Sequence, residues 1–376
     1  MIFLGLASNY SAKDLLSHLF CLGTKKDYIK LERELAKRYD SSTEQTSLVY
    51  SGRTAICLAL ESFISSGKIK KGDHVAINGF TCKAVPEAIK KAGLVPVYLD
   101  IEKDSPDFSP KTLERAISED KKLKVFILQN TFGIPSDVRQ FEEIKQKHDL
   151  LIIEDLAHCA GRKYPDGREI GTVGDATCLS FGKGKAIDTI IGGAVVLRND
   201  FSFPTRFKKE HLKSPKISDS MRAGWYPLFG AIARGLSHIH LEKLFLALIL
   251  KFHWIEKSAD TKLDKTRTIT TWQAYLVLKK LKTLRNTPLR TFYLVENREA
   301  CLAELKKHGF RLEEFWYEVP VSPKRYFDAQ DYPKEKCPNS VDFSEHVLNL
   351  PTWYSNKKHK KEIKEAEKII ERYRRK

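Results

Sequence analysis

The stretch HVAINGFTCKAVPEAIKKAGLVPVYLDI, residues 74–101, contains the pattern that decides the fold. HVAING and VPVYLDI are apolar runs of strand length. Between them, CKAVPEAIKKAG has apolar residues at helical spacing and ends at Gly93. A strand, a helix and a second strand in this order are typical of a βαβ unit, in which the two strands run parallel.

The same alternation continues on both sides of this unit. The further strands are SLVY, VFILQN and LLIIED, and the further helical patterns cover 27–40, 51–68, 111–118 and 137–149. Ser109 and Ser136 are the expected N-caps of the last two helices. Because nearly all-apolar strands alternate with helices, the sequence predicts an α/β chain with a mostly parallel sheet in a three-layer α/β/α arrangement.

After GGAVVLRND the alternation stops, which predicts a change of architecture near residue 200. Residues 201–265 contain aromatic and apolar helices, and 271–309 has the pattern of a long helical stretch. The rest of the chain, with a surface helix in the lysine-rich run 357–376, has the pattern of a small α+β domain. We therefore expect a large domain over 1–265, with an insertion at about 201–265, and a small C-terminal domain over 266–376.

Charge and cysteine content narrow the classes of function. Lys and Arg outnumber Asp and Glu by 65 to 48, for a net charge of +17, which favours an anionic partner or simply solvated basic faces. Seven cysteines without a CxxC pair indicate a reduced, cytoplasmic compartment. The start of the chain lacks the features of a signal peptide, and the longest apolar run, 244–250, is too short to span a bilayer.

Five polar clusters follow strands of the predicted sheet. They lie at 51–54, 80–82, 129–130, 155–158 and 180–185. In a parallel sheet, ligands bind beyond the carboxyl ends of the strands, so these clusters are expected to converge on one edge. Asp155 follows four apolar strand positions and Glu154, and the two carboxylates should point to opposite faces.

The stretch SFGKGKAID, residues 180–188, offers either a phosphate loop or a reactive lysine. A Walker A loop would need glycine at Leu179 and a hydroxyl at Ala186, which excludes that class of nucleotide site. The Ser51-Gly52 turn before a helix is a candidate anion site without a lysine. A lysine amine, an aspartate and a phosphate site are the groups that pyridoxal phosphate requires.

Six blocks between about residues 26 and 200 stand in a distinctive order and spacing. They are SGRTAICLAL, GDHVAINGFTCKAVPEAIKKAGLVPVYLDI, TFGIPSD, LLIIEDLAHCAG, IGTVGDATCLSFGKGK and GGAVVLRND. In this series the chain resembles the DegT-type sugar aminotransferases, which are fold type I pyridoxal phosphate enzymes. The resemblance implies a cytoplasmic homodimer that transfers an amino group, by analogy from glutamate, to a nucleotide-linked keto-sugar in polysaccharide biosynthesis.

The resemblance also implies roles for individual residues. Lys185, five positions after Ser180, would hold the cofactor as an aldimine, whereas Lys183 would be a bystander. Asp155 would pair with the pyridinium nitrogen, and His158 would lie near the ring hydroxyl. The remaining candidate cofactor contacts are Gly52, Arg53, Thr54, Phe80, Cys82, Asn130 and Ser180. Neither a metal site nor a nucleic-acid partner is expected. A lysine at 185, in place of the histidine of the dehydratase branch, favours transamination.

Three departures from the family pattern leave alternatives open. Cys82 stands where the family usually stacks an aromatic ring, Arg53 replaces a threonine, and the polar block before Trp272-Gln273-Ala274 is missing. One alternative is a regulatory protein that binds the cofactor without turnover. Another is a different fold type I activity on a non-sugar substrate.

The segment 241–257 has two interpretations. Leu244, Phe245, Leu248, Phe252 and Trp254 would enter a membrane surface, while Lys243, Lys251 and Lys257 would meet anionic lipids. In the other interpretation, which we favour on the sequence alone, the segment packs into a dimer interface or a domain core.

Overall fold

A computed structural model describes most of the chain. It covers residues 2–3, 16–17, 23–198, 201–207, 212–213, 225, 228–229, 232–233, 235–236, 241–252, 254, 263–264, 266–312, 316–353 and 357–375. The helices and strands given below lie within these ranges.

The centre of the molecule is a seven-stranded sheet with the spatial order β2-β9-β8-β7-β6-β3-β5. Its strands are β2 (Thr46–Val49), β3 (His74–Asn78), β5 (Val95–Leu99), β6 (Leu123–Leu128), β7 (Leu151–Asp155), β8 (Ala176–Ser180) and β9 (Gly193–Leu197). β9 pairs antiparallel with both neighbours, and the other pairings are parallel. The predicted α/β chain with a mostly parallel sheet is confirmed.

Helices cover both faces of this sheet. They are α1 (Lys25–Arg38), α2 (Gly52–Ser65), α3 (Ala84–Ala92), α4 (Pro110–Glu119), α5 (Val138–His148) and α7 (Thr271–Leu281). Alternate strand residues enter two cores: Ile152 packs with residues of α1, α4, α5 and α7, whereas Ile153 packs with residues of α2 and α3. The alternation of side chains along each strand thus produces the three layers.

Local signals set the helix ends. The Ser109 side chain accepts a hydrogen bond from the Thr112 backbone N–H at the start of α4, as predicted, and Gly93 ends α3 in the left-handed region at φ 84°. The prediction that Ser136 caps α5 is wrong by one residue. The cap is Asp137, whose carboxylate accepts from the Arg139 N–H, while the Ser136 N–H donates to Asn130.

A second, smaller core lies in the C-terminal part. Its strands are β10 (Arg290–Leu294) and β13 (Val347–Pro351), which pair antiparallel, and β11 (Phe310–Arg311), which pairs with β1 (Ile2–Phe3). Its helices are α8 (Arg298–Lys307), α9 (Pro338–His346) and α10 (Lys357–Glu371). The predicted surface helix near the C-terminus is confirmed, because α10 buries Ile363, Ala366, Ile369 and Ile370.

The prediction of one long helical stretch over 271–309 is wrong. The helix ends at Leu281, and the run RTFYL forms strand β10 before α8 begins. Pro288 precedes the strand and disfavours helix at the residue before it. The aromatic and β-branched residues of RTFYL favour a strand, and pairing with β13 makes this run a strand. A two-stranded parallel contact between β4 (Thr81–Cys82) and β12 (Val321–Ser322) links the two parts of the chain.

Helix α6 (Glu242–Lys251) is the longest element described within 201–265, and it exposes apolar side chains. Leu244 is 61% exposed, Leu248 is 46% exposed and Phe252, just after the helix, is 58% exposed. These positions fall on one face at helical spacing, whereas Ile249 is buried. Within the described ranges, no helix has both the length and the apolar character needed to cross a bilayer.

Candidate active site

The start of α2 packs directly against the end of β8. A Cβ atom on Gly52 would lie 2.7 Å from Ser180 Cβ, so only glycine allows this approach. The Ser51 hydroxyl caps the helix by accepting a hydrogen bond from the Thr54 N–H at 3.2 Å. The backbone at a helix N-terminus therefore lies beside the Ser180 hydroxyl, which is the combination of donors that binds phosphate groups.

The two acidic residues at the end of β7 differ completely in their surroundings. The buried Glu154 carboxylate accepts from the backbone N–H groups of Gly171, Val173 and Gly174, from Tyr164 Oη at 2.6 Å and from Arg198 at 3.2 Å. It is a structural group, fully satisfied by the protein.

Asp155 points to the opposite face, as its place in the strand predicts. Within the described residues, its carboxylate accepts one hydrogen bond, from the Ala157 N–H at 3.0 Å. Burial raises the pKa of Asp155 above its ordinary value, and the Ala157 hydrogen bond and, whenever Lys185 is protonated, its charge oppose that shift. A buried carboxylate with so few partners is suited to pair with a ligand cation.

Lys185 lies on a tight loop that begins at the end of β8. The Asp188 carboxylate holds this loop by accepting from the Gly184 N–H at 2.8 Å and the Ile190 N–H at 3.1 Å. Gly184 has φ +74°, which favours glycine. The loop places Lys185 Nζ 3.1 Å from His158 Nε2.

The hydrogen bonds of His158 define its protonation. The Phe132 backbone N–H donates to His158 Nδ1 at 3.2 Å, so in the neutral ring the proton resides on Nε2, whose N–H can donate to Lys185 Nζ at 3.1 Å or to Tyr317 Oη at 3.4 Å. An amine that accepts this hydrogen bond is unprotonated. The pKa shifts agree, because burial lowers the pKa of Lys185 and lowers the pKa of His158 well below its ordinary value.

Three residues of the C-terminal part enter this site, and sequence reasoning missed them. The Trp316 indole stacks on the His158 imidazole, with ring centroids 4.6 Å apart and planes at 16°. Tyr317 Oη lies 3.4 Å from His158 Nε2, and the Arg290 guanidinium lies 4.0 Å from the Trp316 ring centroid. The run EFWYEVP contained an aromatic signal, but nothing local indicated its distant partners.

The remaining predicted cofactor contacts occupy varied places. Arg53 Nε lies 3.2 Å from Glu87, and Thr54 Oγ1 donates to the Asp264 carbonyl.

Phe80 is buried among Phe132, Tyr317 and Phe343. Cys82 is half-buried and packs against the same aromatic cluster. The Asn130 side chain accepts from the Ser136 N–H and so stabilises its own turn. Direct contacts of these five residues with a cofactor stay predictions.

The residues that do converge fit pyridoxal phosphate. Three groups match the aldehyde, the ring nitrogen and the phosphate of that cofactor. They are the Lys185 amine, the buried Asp155 carboxylate with its one donor, and the α2 N-terminus beside the Ser180 hydroxyl. Lys185, Asp155, and Gly52 with Ser180 would hold it.

Comparisons with known proteins connect the chain to aminotransferases. Residues 14–206, just over half of the chain, match the model of the DegT/DnrJ/EryC1/StrS aminotransferase family. The pleiotropic regulatory protein of Geobacillus stearothermophilus is 26% identical over 95% of this chain and 92% of its own length. The GDP-perosamine synthase of Vibrio cholerae is 25% identical over 82% of each chain.

A solved structure shows the same fold over nearly the whole chain. It is the putative sugar aminotransferase Spr1654 from Streptococcus pneumoniae in its PMP form, with a TM-score of 0.69 and 18% identity, covering 98% of this chain and 99% of that one. The similarity therefore extends beyond residues 14–206 to the C-terminal part that carries Trp316 and Arg290.

Proposed function

Because the chain belongs to the DegT/DnrJ/EryC1/StrS aminotransferase family, we propose that it moves an amino group from an amino acid to the ketone of a nucleotide-linked sugar. It is a pyridoxal phosphate-dependent aminotransferase of the fold type I architecture. Relatives named GDP-perosamine synthase support a nucleotide-sugar substrate. The surplus of basic residues suits a substrate that carries a diphosphate.

The observation that carries this proposal is the contact of Lys185 Nζ with His158 Nε2 at 3.1 Å. An amine that accepts a hydrogen bond from the imidazole Nε2–H is unprotonated, which is the form that attacks an aldehyde carbon. Bound pyridoxal phosphate supplies that aldehyde and a ring that withdraws electrons from the α-carbon of an amino acid. The Lys185 amine would be the base that takes the proton from the α-carbon of the amino acid and gives it up at the carbon on the other side of the transferred nitrogen.

Asp155 and the α2 N-terminus position the cofactor. The Asp155 carboxylate, buried at the end of β7, would keep the ring nitrogen protonated, and that pairing would offset the cost of burying the carboxylate. The backbone beside Gly52, together with Ser180 Oγ, would hold the phosphate group. We further propose glutamate as the donor, a homodimer, and a cytoplasmic role in polysaccharide synthesis, following the family resemblance.

A second candidate function is regulatory. The relative from Geobacillus stearothermophilus, which aligns with 95% of this chain, is named as a pleiotropic regulatory protein. Cys82, in place of an aromatic residue, and the missing polar block before Trp272 also favour a protein that binds the cofactor without turning over. This candidate predicts cofactor uptake without amino transfer.

A two-step absorbance experiment separates the two functions. Glutamate added to the cofactor-loaded protein should convert the bound aldehyde form to the amine form, and a nucleotide keto-sugar from a panel should convert it back. The Lys185→Ala variant serves as the negative control. Uptake of the cofactor with no conversion by glutamate would refute a glutamate-dependent aminotransferase.

A further inference from the structure

The Trp316 indole borders both polar groups at the centre of the site. It lies parallel to the His158 ring at a centroid distance of 4.6 Å, and Lys185 Nζ is 4.8 Å from the indole centroid. A Cβ atom on Gly184, in the lysine loop, would contact the same indole at 3.5 Å. One aromatic side chain of the C-terminal part therefore covers the imidazole, the amine and the loop that carries the amine.

Two buried residues hold Trp316 from the paired strands β10 and β13. Asn349 Nδ2 donates to the Trp316 carbonyl oxygen at 2.9 Å, and Asn349 Oδ1 accepts from the Trp316 N–H at 3.3 Å. Arg290 donates to Asn349 Oδ1 at 2.9 Å, and its guanidinium lies 4.0 Å from the indole centroid. Because Arg290 and Asn349 are anchored in a sheet, the indole has a rigid support.

The His158 ring needs such a support. The Phe132 N–H fixes the position of Nδ1, and Lys185 Nζ and Tyr317 Oη contact Nε2, but hydrogen bonds at the two ring nitrogens leave the ring able to tilt about the line that joins them. A tilt moves Nε2 away from Lys185 Nζ, and hydrogen bonds weaken steeply with angle. A parallel aromatic face at 4.6 Å restricts the tilt and keeps water off that side of the imidazole.

We propose that Trp316, clamped by Arg290 and Asn349, is a positioning residue that holds the His158 imidazole in the plane and tautomer that direct Nε2–H at Lys185 Nζ. The inference rests on the proposed function, in which the Lys185 amine is the reacting group. It adds a role for a C-terminal aromatic residue that acts through His158.

The tautomer of His158 gives a test that does not depend on turnover. Cofactor-free protein labelled with 15N-histidine would be measured by long-range 1H–15N NMR, with His158→Gln identifying the resonance. Wild type, Trp316→Phe and the control Trp254→Leu, which makes a similar change at an exposed tryptophan, should show the single Nε2–H tautomer. Trp316→Leu should show a mixture of tautomers.

Kinetics supply the second readout. Trp316→Leu should lower kcat about 10- to 100-fold with a donor KM within about threefold of wild type, because a displaced catalytic group costs rate more than binding. Trp316→Phe should restore most of the loss. If Trp316→Leu unfolds before it can be measured, Asn349→Ala replaces it as the test variant. We expect Asn349→Ala to show a smaller fraction of the second tautomer and a smaller loss of kcat than Trp316→Leu would.

A single Nε2–H tautomer and wild-type kcat in folded Trp316→Leu would overturn the inference and leave the proposed function intact. The same result in Asn349→Ala would overturn it if Trp316→Leu does not fold. Turnover that persists in Lys185→Ala would instead overturn the proposed function, whatever the tautomer of His158.

Discussion

At the scale of residues, the adjacent carboxylates Glu154 and Asp155 lie on the same strand but have different roles. Strand alternation places them on opposite faces, which the sequence alone predicts. Glu154 is surrounded by three backbone N–H donors, Tyr164 and Arg198, whereas Asp155 has the single Ala157 donor among the described residues. The first carboxylate stabilises the fold, and the second is available to a ligand.

This difference predicts opposite outcomes for two matched substitutions. Glu154→Gln should lower the free energy of unfolding by about 3–5 kcal/mol, because Arg198 would keep a buried charge without its partner. Asp155→Asn should leave the stability of the cofactor-free protein unchanged or higher, because it removes a buried charge that forms no ion pair among the described residues. It should also lower kcat about 10²- to 10³-fold, since it removes the charge aimed at the ring nitrogen.

Denaturant titrations of the two variants check the predicted unfolding free energies, and steady-state rates check the predicted loss of kcat. A stable Glu154→Gln protein, or an Asp155→Asn protein with full activity, would contradict the assignment of roles.

Sequence reasoning found the site residues that share the sheet edge and missed those from outside it. The structure brings Gly52, Asp155, His158, Ser180 and Lys185 together, because the parallel strands of one sheet end at one edge. Trp316 reaches the same place from the C-terminal part, more than a hundred residues later in the chain. No spacing rule links it to His158, so its position depends on tertiary packing.

At the scale of elements, the Asp107 side chain connects the ends of two strands through hydrogen bonds. Its carboxylate accepts from Asn78 Nδ2 at 2.7 Å at the end of β3, and from the Thr131 N–H and hydroxyl after β6. Burial raises the pKa of Asp107 from 3.8 to about 6, although the Thr131 hydrogen bonds act in the opposite direction. The folded protein therefore binds this proton more tightly than the unfolded chain does.

A pH-dependent stability follows from that shift. The preference for the protonated carboxyl stabilises the fold fully below the unfolded pKa near 4 and is lost as the pH rises through about 6. Relative to Asp107→Asn, which does not titrate, wild type should lose about 3 kcal/mol of unfolding free energy between pH 3.5 and pH 7.5. Urea titrations at both values check this, and a difference between the two proteins that stays constant with pH would contradict it.

Helix α6 tests the membrane interpretation of the 241–257 segment. Leu244, Leu248 and Phe252 are exposed on one face, and Lys251 is exposed beside them. The membrane interpretation predicts that wild type floats with anionic phosphatidylglycerol vesicles and that the double variant Leu244→Glu, Leu248→Glu does not, because charge on this face opposes burial in the acyl boundary.

Ile29→Glu, a substitution of the same kind on the exposed side of α1, serves as the control and should float like wild type. Wild type that stays with the soluble fraction would exclude the membrane interpretation. Burial of this face in a dimer interface would then be the remaining prediction for the segment.

The element pattern also explains where prediction from sequence failed. The β/α alternation up to β9 could be predicted because buried parallel strands and amphipathic helices have different apolar periods. β10 could not, because a five-residue run with aromatic and apolar residues is compatible with either state until β13 pairs with it. The cap of α5 moved by one residue because Asp137, next to Ser136, is an equally good cap.

At the scale of the whole molecule, the site is assembled from two parts of the chain, which meet in an aromatic cluster that contains Phe80, Phe132 and Tyr317. The three-layer part contributes Lys185, His158 and Asp155, and the part that contains β10 and β13 contributes Trp316, Tyr317 and Arg290. The sequence predicts the first part in detail and the second in outline, because the second depends on contacts distant in sequence. The domain boundary near residue 266 stays a prediction.

The central claim is that Lys185 Nζ, and not the neighbouring Lys183, binds the cofactor covalently. The most direct measurement is reduction of the pyridoxal phosphate-loaded protein with borohydride, followed by proteolysis and mass spectrometry of the peptide that contains SFGKGKAID. We predict the cofactor adduct on Lys185 in wild type and in Lys183→Ala, and no adduct in Lys185→Ala. An adduct on Lys183, or a full adduct in Lys185→Ala, would contradict the account.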